Sequence, residues 1–325
     1  MTRELLQDLE KVLGQDQLYI EEPMKNHISF RVGGPAEVLV TPELSQLPEV
    51  LRLARKHEVD VTVIGNGSNL LVGDGGIRGL VIELSRRAAQ VQVLSMEEQA
   101  ETRAIEESSR LQAAELPGKL LQVEAGCMLS KAAKVAYDEG LGGMEFAAGI
   151  PGTMGGAVVM NAGAYGGEIK DILFSATVLT PEGDILELPA EALDLSYRHS
   201  IIPEKEYIVL SAKLMLFPKE QSQIKAEMDD YRDRRLDKQP LEYPSAGSTF
   251  KRPEGYFAGK LIQDAGLRGY RVGDAQVSEK HCGFVINRGE ATAAEILQLI
   301  SDVKQKVWDE FQVELEPEVK MLGDF

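Results

Sequence analysis

Apolar residues recur along this chain with two different periods. Leu5, Leu6, Leu9, Val12 and Leu13 are spaced so as to share one side of a helix, which predicts an amphipathic helix over residues 2–13. Shorter apolar runs bounded by Gly, Pro, Asn or Asp predict strands. These lie at residues 37–40, 59–64, 79–84, 120–124, 174–179, 185–188, 207–216, 283–287 and 313–321. Interleaved helix and strand periods predict an α+β fold.

Local signals place the remaining helices. Ser45 is predicted to cap a helix that ends near residue 57, and Ser130 to cap another that ends at Gly140. Further helices are predicted over residues 220–238, 256–265 and 291–311. Near residue 219 apolar strands give way to a long polar helix. We therefore divide the chain into an N-terminal lobe (1–85), a second lobe (86–218) and a C-terminal domain (219–325).

Residues 86–118 interrupt this regular pattern. Much of the segment is charged and polar, which is typical of a solvated face. It is predicted to be an exposed helix or a disordered insertion.

The charge balance restricts the partners of the protein. The chain has 52 acidic and 35 basic residues, a net charge of −17, and such a surface repels phosphate backbones. Nucleic acid is therefore not an expected partner, and no obligate protein partner is predicted. An anionic small substrate would need local help from Arg, Lys or backbone N–H groups.

Several other classes are disfavoured by the sequence. The N-terminus carries acids where a signal peptide needs an apolar stretch, and no apolar run approaches the roughly 18 residues of a membrane span. Two cysteines are too few for a disulfide framework, so a cytoplasmic location is expected. The four histidines show no metal-ligand spacing, and no metal site is predicted. They are His27, His57, His199 and His281.

Two glycine-rich loops carry the strongest chemical signal. The first, I-G-N-G-S-N-L-L-V over residues 64–72, directly follows a predicted strand. Its glycines allow positive φ angles and close approach of a ligand, and successive N–H groups can form an anion-binding nest. The second, A-G-I-P-G-T-M-G-G-A over residues 148–157, opens a predicted helix whose N-terminus would offer N–H groups to phosphate. Together the two loops predict a dinucleotide cradle.

This cradle differs from the common nucleotide-binding motifs. Gly65-x-Gly67 lacks a glycine at position 70, and Gly73-x-Gly75 has Arg78 where a third glycine would stand. The string G-x-x-x-x-G-K-[ST] is also missing, which excludes a P-loop NTPase. Tight structural turns remain the alternative reading of each loop taken alone.

In this order, the motifs closely resemble the UDP-N-acetylenolpyruvoylglucosamine reductase family, and the resemblance covers nearly the whole chain outside residues 86–118. The matching strings are S-F-R-V-G-G-P-A at 29–36, I-G-N-G-S-N-L-L-V at 64–72, G-I-P-G-T-M-G-G-A-V-V-M-N-A-G-A-Y-G at 149–166, S-Y-R-H-S at 196–200, S-A-G-S-T-F-K-R-P at 245–253, A-G-K-L-I-Q-D-A-G-L-R-G at 258–269, H-C-G-F-V-I-N at 281–287 and L-E-P-E-V at 315–319.

The resemblance implies a two-lobed FAD-binding domain of the vanillyl-alcohol-oxidase type, followed by a C-terminal α+β substrate domain. It further implies that NADPH reduces a non-covalently held FAD and then leaves. The enolpyruvyl ether of UDP-N-acetylglucosamine takes its place, receiving hydride at C3 and a proton at C2. The product, UDP-N-acetylmuramate, is a peptidoglycan precursor. The cofactor itself supplies the hydride chemistry, and the protein supplies position and charge.

The family's motifs also suggest residue roles. Ser248 matches the proton donor, Arg198 the arginine that steadies the enolate and binds the substrate carboxylate, and Glu318 the third catalytic position. Periodicity alone does not choose among Glu314, Glu316 and Glu318. The predicted FAD contacts are Gly65, Asn66, Gly67, Ser68, Asn69, Gly149, Gly152, Thr153, Gly155, Gly156, Ala157 and Asn161.

Three residues are assigned to the substrate. Lys238 resembles the lysine that meets the UDP diphosphate, and Tyr165 lies in the string that follows the second loop. The short spacing from Arg198 to Ser248 resembles the family's second type, which lacks a tyrosine-bearing loop. Arg252 is then expected to hold substrate phosphate in place of that loop.

Two other functions stay open at the level of the sequence. Another flavin oxidase or dehydrogenase of the same fold would keep the glycine loops but lack the constellation of Arg198, Ser248 and Glu318. A non-catalytic flavin- or nucleotide-sugar-binding protein would bind FAD without oxidising NADPH.

Overall fold

The computed structural model describes residues 3–95, 98 and 118–325. Its N-terminal part contains a four-stranded sheet in the order β1-β2-β5-β3, in which β1 is antiparallel to β2 and the other pairs are parallel. The elements of this part are α1 (Arg3–Val12), β1 (Leu18–Pro23), β2 (Pro35–Val40), α2 (Leu47–Lys56), β3 (Val61–Ile64), β4 (Leu70–Val72) and β5 (Ile77–Glu83).

This sheet lies between two hydrophobic cores. Leu80 and Ile82 of β5 contribute to one core, which also takes Leu5 and Leu9 of α1. Val81, between them on β5, belongs to the other core. Because side chains alternate along a strand, one sheet serves both cores. The predicted amphipathic helix at the N-terminus is thereby confirmed.

The second part is built on an antiparallel sheet in the order β12-β11-β13-β7-β6, with β8 paired to the end of β13. It packs into the first core, together with the helices that follow β7 and β8. Its elements are β6 (Val91–Val93), β7 (Lys119–Glu124), α3 (Leu129–Asp138), β8 (Leu141–Gly142), α4 (Met154–Val159), β9 (Gly163–Ala164), β10 (Gly167–Glu168), β11 (Leu173–Leu179), β12 (Ile185–Pro189) and β13 (Ile208–Pro218).

The C-terminal part, apart from its first helix, packs into the second core and returns to the N-terminal part, whereas the first helix packs against the first core through Met228 and Tyr231. The terminal strand β17 pairs in parallel with β4, so the last residues of the chain lie beside the loop that follows β4. The elements are α5 (Gln221–Lys238), α6 (Ala258–Asp264), β14 (Arg271–Val272), β15 (Ala275–Val277), β16 (Val285–Asn287), α7 (Ala293–Phe311) and β17 (Lys320–Leu322).

Three local predictions are wrong. The helix expected after Ser45 begins with Gln46 as its N-cap, and the one expected after Ser130 begins with Met128 as its N-cap. Neither N-cap residue makes a side-chain capping bond. The strand predicted over residues 313–321 is paired only at Lys320–Leu322, because Pro317 has no N–H to donate and makes only an isolated bridge with Phe250.

Part of the predicted insertion falls outside the described residues. Residues 86–93 form a short 3₁₀ turn (Arg86–Ala88) and strand β6, whereas most of 96–117 lies beyond what the structure describes.

Candidate active site

The two glycine loops meet face to face. We call residues 65–69 loop 1 and residues 149–157 loop 2. The side-chain amide of Asn66 donates a hydrogen bond of 2.8 Å to the carbonyl of Pro151. A Cβ added to Gly65 would collide with the hydroxyl of Thr153, and one added to Gly152 would lie 3.7 Å from the hydroxyl of Ser68. The two loops therefore lie against each other, and we call the space beside them the cleft.

Some of the loop glycines are required by contacts within the protein. Gly67 has a φ of +59°, and a Cβ there would collide with the carbonyl of His27. A Cβ on Gly155 would lie 3.0 Å from the Cβ of Ala125. At these two positions backbone geometry and packing explain the glycine without any ligand.

Three glycines of loop 2 have no such explanation. A Cβ on Gly149, Gly152 or Gly156 would lie 3.5, 3.7 and 3.8 Å, respectively, from the nearest atom outside its own local backbone, which is ordinary contact. None of the three has a positive φ. The protein itself leaves room for a side chain at each, so their bare Cα atoms fit a group that approaches the backbone closely. FAD, the cofactor that the sequence predicts, would be such a group.

Loop 1 also offers hydrogen-bond donors. Within the described ranges, the backbone N–H groups of residues 66–69 have no protein acceptor. Four successive free N–H groups form a concavity that suits an anion. The beginning of α4 offers fewer than expected, because the N–H groups of Met154 and Gly155 donate to the carbonyls of Cys127 and Ala125, at 2.8 Å each. The donors predicted for the second loop are thus partly used inside the protein.

Asn161 serves the protein interior. Its side chain is buried, and its amide nitrogen donates to Glu168 (2.9 Å) and to the carbonyl of Ser196 (3.0 Å). Its amide oxygen accepts from the N–H of Lys170 at 2.9 Å. The side chain of Asn161 therefore holds the segment after α4 against Ser196, and its contact with FAD stays a prediction. Two other predicted contacts, Thr153 and Ala157, are also buried.

Arg198 and Glu318 form an ion pair near loop 1. The Nε of Arg198 donates to Oε1 of Glu318 at 2.6 Å, and both side chains are largely shielded, with exposures of 21% and 12%. The guanidinium lies 5.1 Å from the ring centre of Tyr197. Arg198 has a φ of +56°, at the tip of a tight turn closed by two hydrogen bonds between Ser196 and His199. The turn presents the arginine to the cleft at the cost of a left-handed backbone.

Backbone hydrogen bonds bring Ser248 into the same region. The N–H of Glu318 donates to the carbonyl of Thr249 at 2.8 Å, so the exposed Ser248 directly precedes the residue that anchors Glu318. Asn69 of loop 1 donates its side-chain amide to the carbonyl of Glu318 at 3.2 Å. The structure thus gathers the three predicted catalytic residues beside loop 1.

Arg252 borders this site through Tyr197. Its backbone N–H donates to the hydroxyl of Tyr197 at 3.3 Å, and its guanidinium stacks 4.1 Å from the ring centre of Phe257. Tyr197 was missed by the sequence reasoning, although its position next to Arg198 was a usable signal.

Two of the residues predicted to bind the substrate are associated with α5: Tyr165 contacts this helix and Lys238 belongs to it. Tyr165, with a φ of +55°, stacks on Tyr231 of α5 with ring centres 4.6 Å apart and planes parallel to within 1°. Lys238, at the end of α5, is exposed and adds to the effects that lower the pKa of His281, of which burial is the largest. Tyr231 and Arg235 on the same helix were not singled out from the sequence.

Two further features bear on the class of the site. Among the residues that the structure describes, no group of three or more His, Cys, Asp or Glu side chains is placed to hold a metal ion. In the same residues, no helix is long and apolar enough to cross a membrane.

Comparisons with known families match both halves of this arrangement. The family model described as FAD binding domain matches residues 35–189, which include both loops. The model of the UDP-N-acetylenolpyruvoylglucosamine reductase C-terminal domain matches residues 239–322, which include Ser248 and Glu318. The predicted α+β fold, the FAD cofactor and the order of the domains agree with these matches.

Whole-length relatives agree. The chain is 54% identical to UDP-N-acetylenolpyruvoylglucosamine reductase of Agathobacter rectalis over 100% of both chains, and 48% identical to that of Clostridioides difficile over 98% of this chain and 97% of the relative. The crystal structure of the reductase from Thermus caldophilus superposes with a TM-score of 0.73 at 33% identity, covering 94% of this chain and 98% of that one. The predicted resemblance is confirmed: the chain belongs to the UDP-N-acetylenolpyruvoylglucosamine reductase family.

Proposed function

We propose that this protein reduces the enolpyruvyl ether of UDP-N-acetylglucosamine to UDP-N-acetylmuramate, with FAD as bound cofactor and NADPH as co-substrate, in the synthesis of peptidoglycan precursors. One observation carries the proposal. The Arg198–Glu318 pair is joined through the side-chain amide of Asn69 to loop 1 of an FAD-binding domain, and Ser248 directly precedes Thr249, whose carbonyl accepts from the N–H of Glu318.

Loops 1 and 2 would hold FAD non-covalently. The free N–H groups of residues 66–69 suit its diphosphate, and the bare Cα atoms of Gly152 and Gly156 allow it to lie against the backbone. When bound, FAD supplies the hydride acceptor and donor that the reaction requires.

Arg198 would stabilise charge that develops on the substrate. Addition of hydride to C3 leaves negative charge on C2 and the adjoining carboxylate, and a fixed guanidinium is a suitable partner for both. Its Nε is held by Glu318, so the other two nitrogens of the fork are left to face the carboxylate. Because this pair is preformed, the arginine need not reorganise when charge develops.

Ser248 would deliver the proton that completes the reaction. The balance requires a hydride at C3 and a proton at C2, and the exposed Ser248 directly precedes Thr249, whose carbonyl accepts from the N–H of Glu318. Glu318 would act beside it, keeping Arg198 in place and contributing the third polar group of the site.

Lys238, Arg252 and Tyr165 would bind the nucleotide-sugar. Lys238 lies on α5, Arg252 on the segment joined to Tyr197, and Tyr165 on the loop that follows α4 and stacks on Tyr231 of α5. For Arg252 we expect Arg252→Ala to raise the substrate KM about tenfold or more, because a charge-assisted contact to phosphate is removed. Steady-state kinetics would check this, and an unchanged KM would remove Arg252 from the site.

The assignment of compartment and domains follows the same proposal. Both cysteines, Cys127 and Cys282, are free and buried, which fits a reducing cytoplasm. Residues 1–85 and 86–218 would form the two lobes that hold FAD, and residues 219–325 the substrate domain. Pairing of β17 with β4 ties the last of these back to the first.

The direct test is turnover by the purified, FAD-loaded protein. NADPH oxidation should depend on UDP-N-acetylenolpyruvoylglucosamine and yield UDP-N-acetylmuramate by mass spectrometry. UDP-N-acetylglucosamine, which lacks the double bond, is the control and should support no oxidation above background. NADPH oxidation without formation of UDP-N-acetylmuramate would instead indicate a different flavin enzyme.

A further inference from the structure

Helix α5 carries five basic residues, and three of them are neutralised by acids of the same helix. Lys225 pairs with Asp229 at 2.5 Å, Arg232 with Asp229 at 2.8 Å and Arg234 with Asp230 at 2.7 Å. The remaining two, which are Arg235 and Lys238, make no ion pair with any residue in the described part of the chain. In a chain with a net charge of −17, two cations that lie one helical turn apart without an acidic partner are unexpected.

The two uncompensated cations share one face of α5 with Tyr231. Residues 231, 235 and 238 are separated by four and three positions, the spacing that places side chains above one another on a helix. Tyr231 on this face is the residue that stacks on Tyr165. The face is therefore turned toward the segment that follows α4, whereas the paired cations Arg232 and Arg234 are exposed elsewhere on the helix surface.

Arg235 lies against loop 2. Its Nη1 would be 3.5 Å from a Cβ added to Gly149, one of the three glycines whose bare Cα the protein does not require. Its only hydrogen bond in the described ranges is from Nε to the side-chain oxygen of Gln239, at 2.9 Å. Burial lowers the pKa of Arg235, and no carboxylate offsets that burial. A half-buried guanidinium with most of its fork unpaired is costly unless an anion completes it.

Lys238 extends the same face toward the C-terminal part of the chain. Its positive charge contributes to lowering the pKa of His281, which lies on the loop that leads into β16. The face thus runs from loop 2, through Arg235, to the part of the molecule that contains Ser248.

We propose that Arg235 is a binding residue for the diphosphate of the nucleotide substrates, serving both NADPH and the nucleotide-sugar. A planar guanidinium fork matches phosphate oxygens two at a time, and the lysine three residues later adds a second point of charge. This assignment rests on the proposed function, in which both substrates carry a diphosphate and occupy the cleft in turn. The diphosphate of FAD has its own donors in loop 1, in the free N–H groups of residues 66–69.

The test measures binding and needs no turnover. Full-length, FAD-loaded, oxidised protein is titrated calorimetrically with UDP and, separately, with NADP⁺. Arg235→Gln should weaken both about 10- to 100-fold, the loss expected for one charge-assisted hydrogen-bond pair. Arg235→Lys should recover part of the loss, because it restores the charge but not the fork. Arg232→Gln, three residues earlier and already ion-paired, is the matched control and should bind both ligands as the wild type does.

A separate arm identifies the diphosphate. Release of FAD from each variant is followed by fluorescence, and Arg235→Gln should change the Kd for FAD by less than about twofold. Loss of FAD affinity with unchanged UDP and NADP⁺ affinities would assign the cation to the cofactor and overturn the proposal. Unchanged affinity for all three ligands would also overturn it. If Arg235→Gln fails to fold, the affinities of Arg235→Lys for UDP, NADP⁺ and FAD are compared with those of the wild type by the same criteria.

These outcomes are separate from those of the turnover assay. If the wild-type protein did not reduce the enolpyruvyl substrate, the proposed function would fail, yet a selective loss of UDP binding in Arg235→Gln would still show a diphosphate site. If turnover occurred and Arg235→Gln bound UDP normally, only the present inference would fail.

Discussion

Substitution of Gly156 by alanine should separate the needs of the fold from those of the cofactor. Gly156 lies within α4 and is exposed, and the Cβ of an alanine there would lie 3.8 Å from the nearest protein atom outside the local helix backbone. Within a helix, alanine is favoured over glycine by about 1 kcal/mol. Gly156→Ala should therefore make the FAD-free protein slightly more stable while it weakens FAD binding.

The two effects have predictable sizes. The entropy of unfolding is about 2.1 cal/mol/K per residue, or roughly 0.7 kcal/mol/K for this chain, so about 1 kcal/mol raises the Tm of the apoprotein by about 1.5 °C. A methyl group forced into a close contact with the cofactor costs about 1–3 kcal/mol, which weakens the Kd for FAD roughly 5- to 150-fold. Gly156→Ala should thus raise the Tm of the apoprotein while it lowers the affinity of the protein for FAD.

Gly155→Ala is the matched control. Its Cβ would be 3.0 Å from the Cβ of Ala125, so it should lower the Tm of the apoprotein itself, because overpacking of about 1–3 kcal/mol offsets or exceeds the gain in helix propensity. Scanning calorimetry of the apoproteins and fluorescence titration with FAD would measure both quantities. Wild-type FAD affinity in Gly156→Ala would refute the reasoning that this bare Cα faces the cofactor.

Three further results are expected. Asp74→Ala should destabilise the protein by about 1–2 kcal/mol in urea unfolding, because both carboxylate oxygens of Asp74 accept first-turn N–H groups of α7, that of Ala293 at 2.8 Å; equal stability would contradict this. The Glu83 carboxylate raises the pKa of His27 in the folded protein. The free energy of unfolding of the wild type should therefore exceed that of His27→Gln most below pH 6.5, and the difference should decline as the pH rises through the raised pKa. A difference that grew with pH would contradict this. Ser248→Ala should keep flavin reduction by NADPH but slow reoxidation by the enolpyruvyl substrate about 10²- to 10⁴-fold in stopped flow, and equal loss of both steps would argue against a proton donor.

Regular periodicity made most of the fold accessible from the sequence. The continuous apolar run of β5 and the helical spacing of α1 follow from burial, which acts on the side chains that pattern analysis reads directly. Helix starts were less accessible. Ser45 and Ser130 are suitable capping residues, but the helices began one or two residues away from the predicted positions, where tertiary packing fixes the first turn.

Long-range pairing was also beyond the sequence. The alternation over residues 313–321 suggested one strand, yet within the described residues only Lys320–Leu322 forms a regular strand, on β4, and Pro317 makes an isolated bridge with Phe250. The buried Leu315 of the same stretch is apolar without being in a strand.

At the site, motifs placed the residues but not their partners. The strings around Arg198, Ser248 and Glu318 identified three positions far apart in sequence, and the structure brings them together. Arg235 shows the limit, because in the sequence it is one of five basic residues in a helix rich in acids. Only the ion-pair geometry shows that its neighbours are neutralised and that it is left facing the cleft.

The most direct test of the central claim is an anaerobic visible spectrum of the FAD-loaded protein during two additions. NADPH should bleach the flavin bands, and UDP-N-acetylenolpyruvoylglucosamine should then restore them, whereas UDP-N-acetylglucosamine should leave them bleached. Bands that bleach but do not return with the enolpyruvyl substrate would contradict the proposed reaction, and a protein that takes up no FAD at all would contradict the cofactor assignment on which it stands.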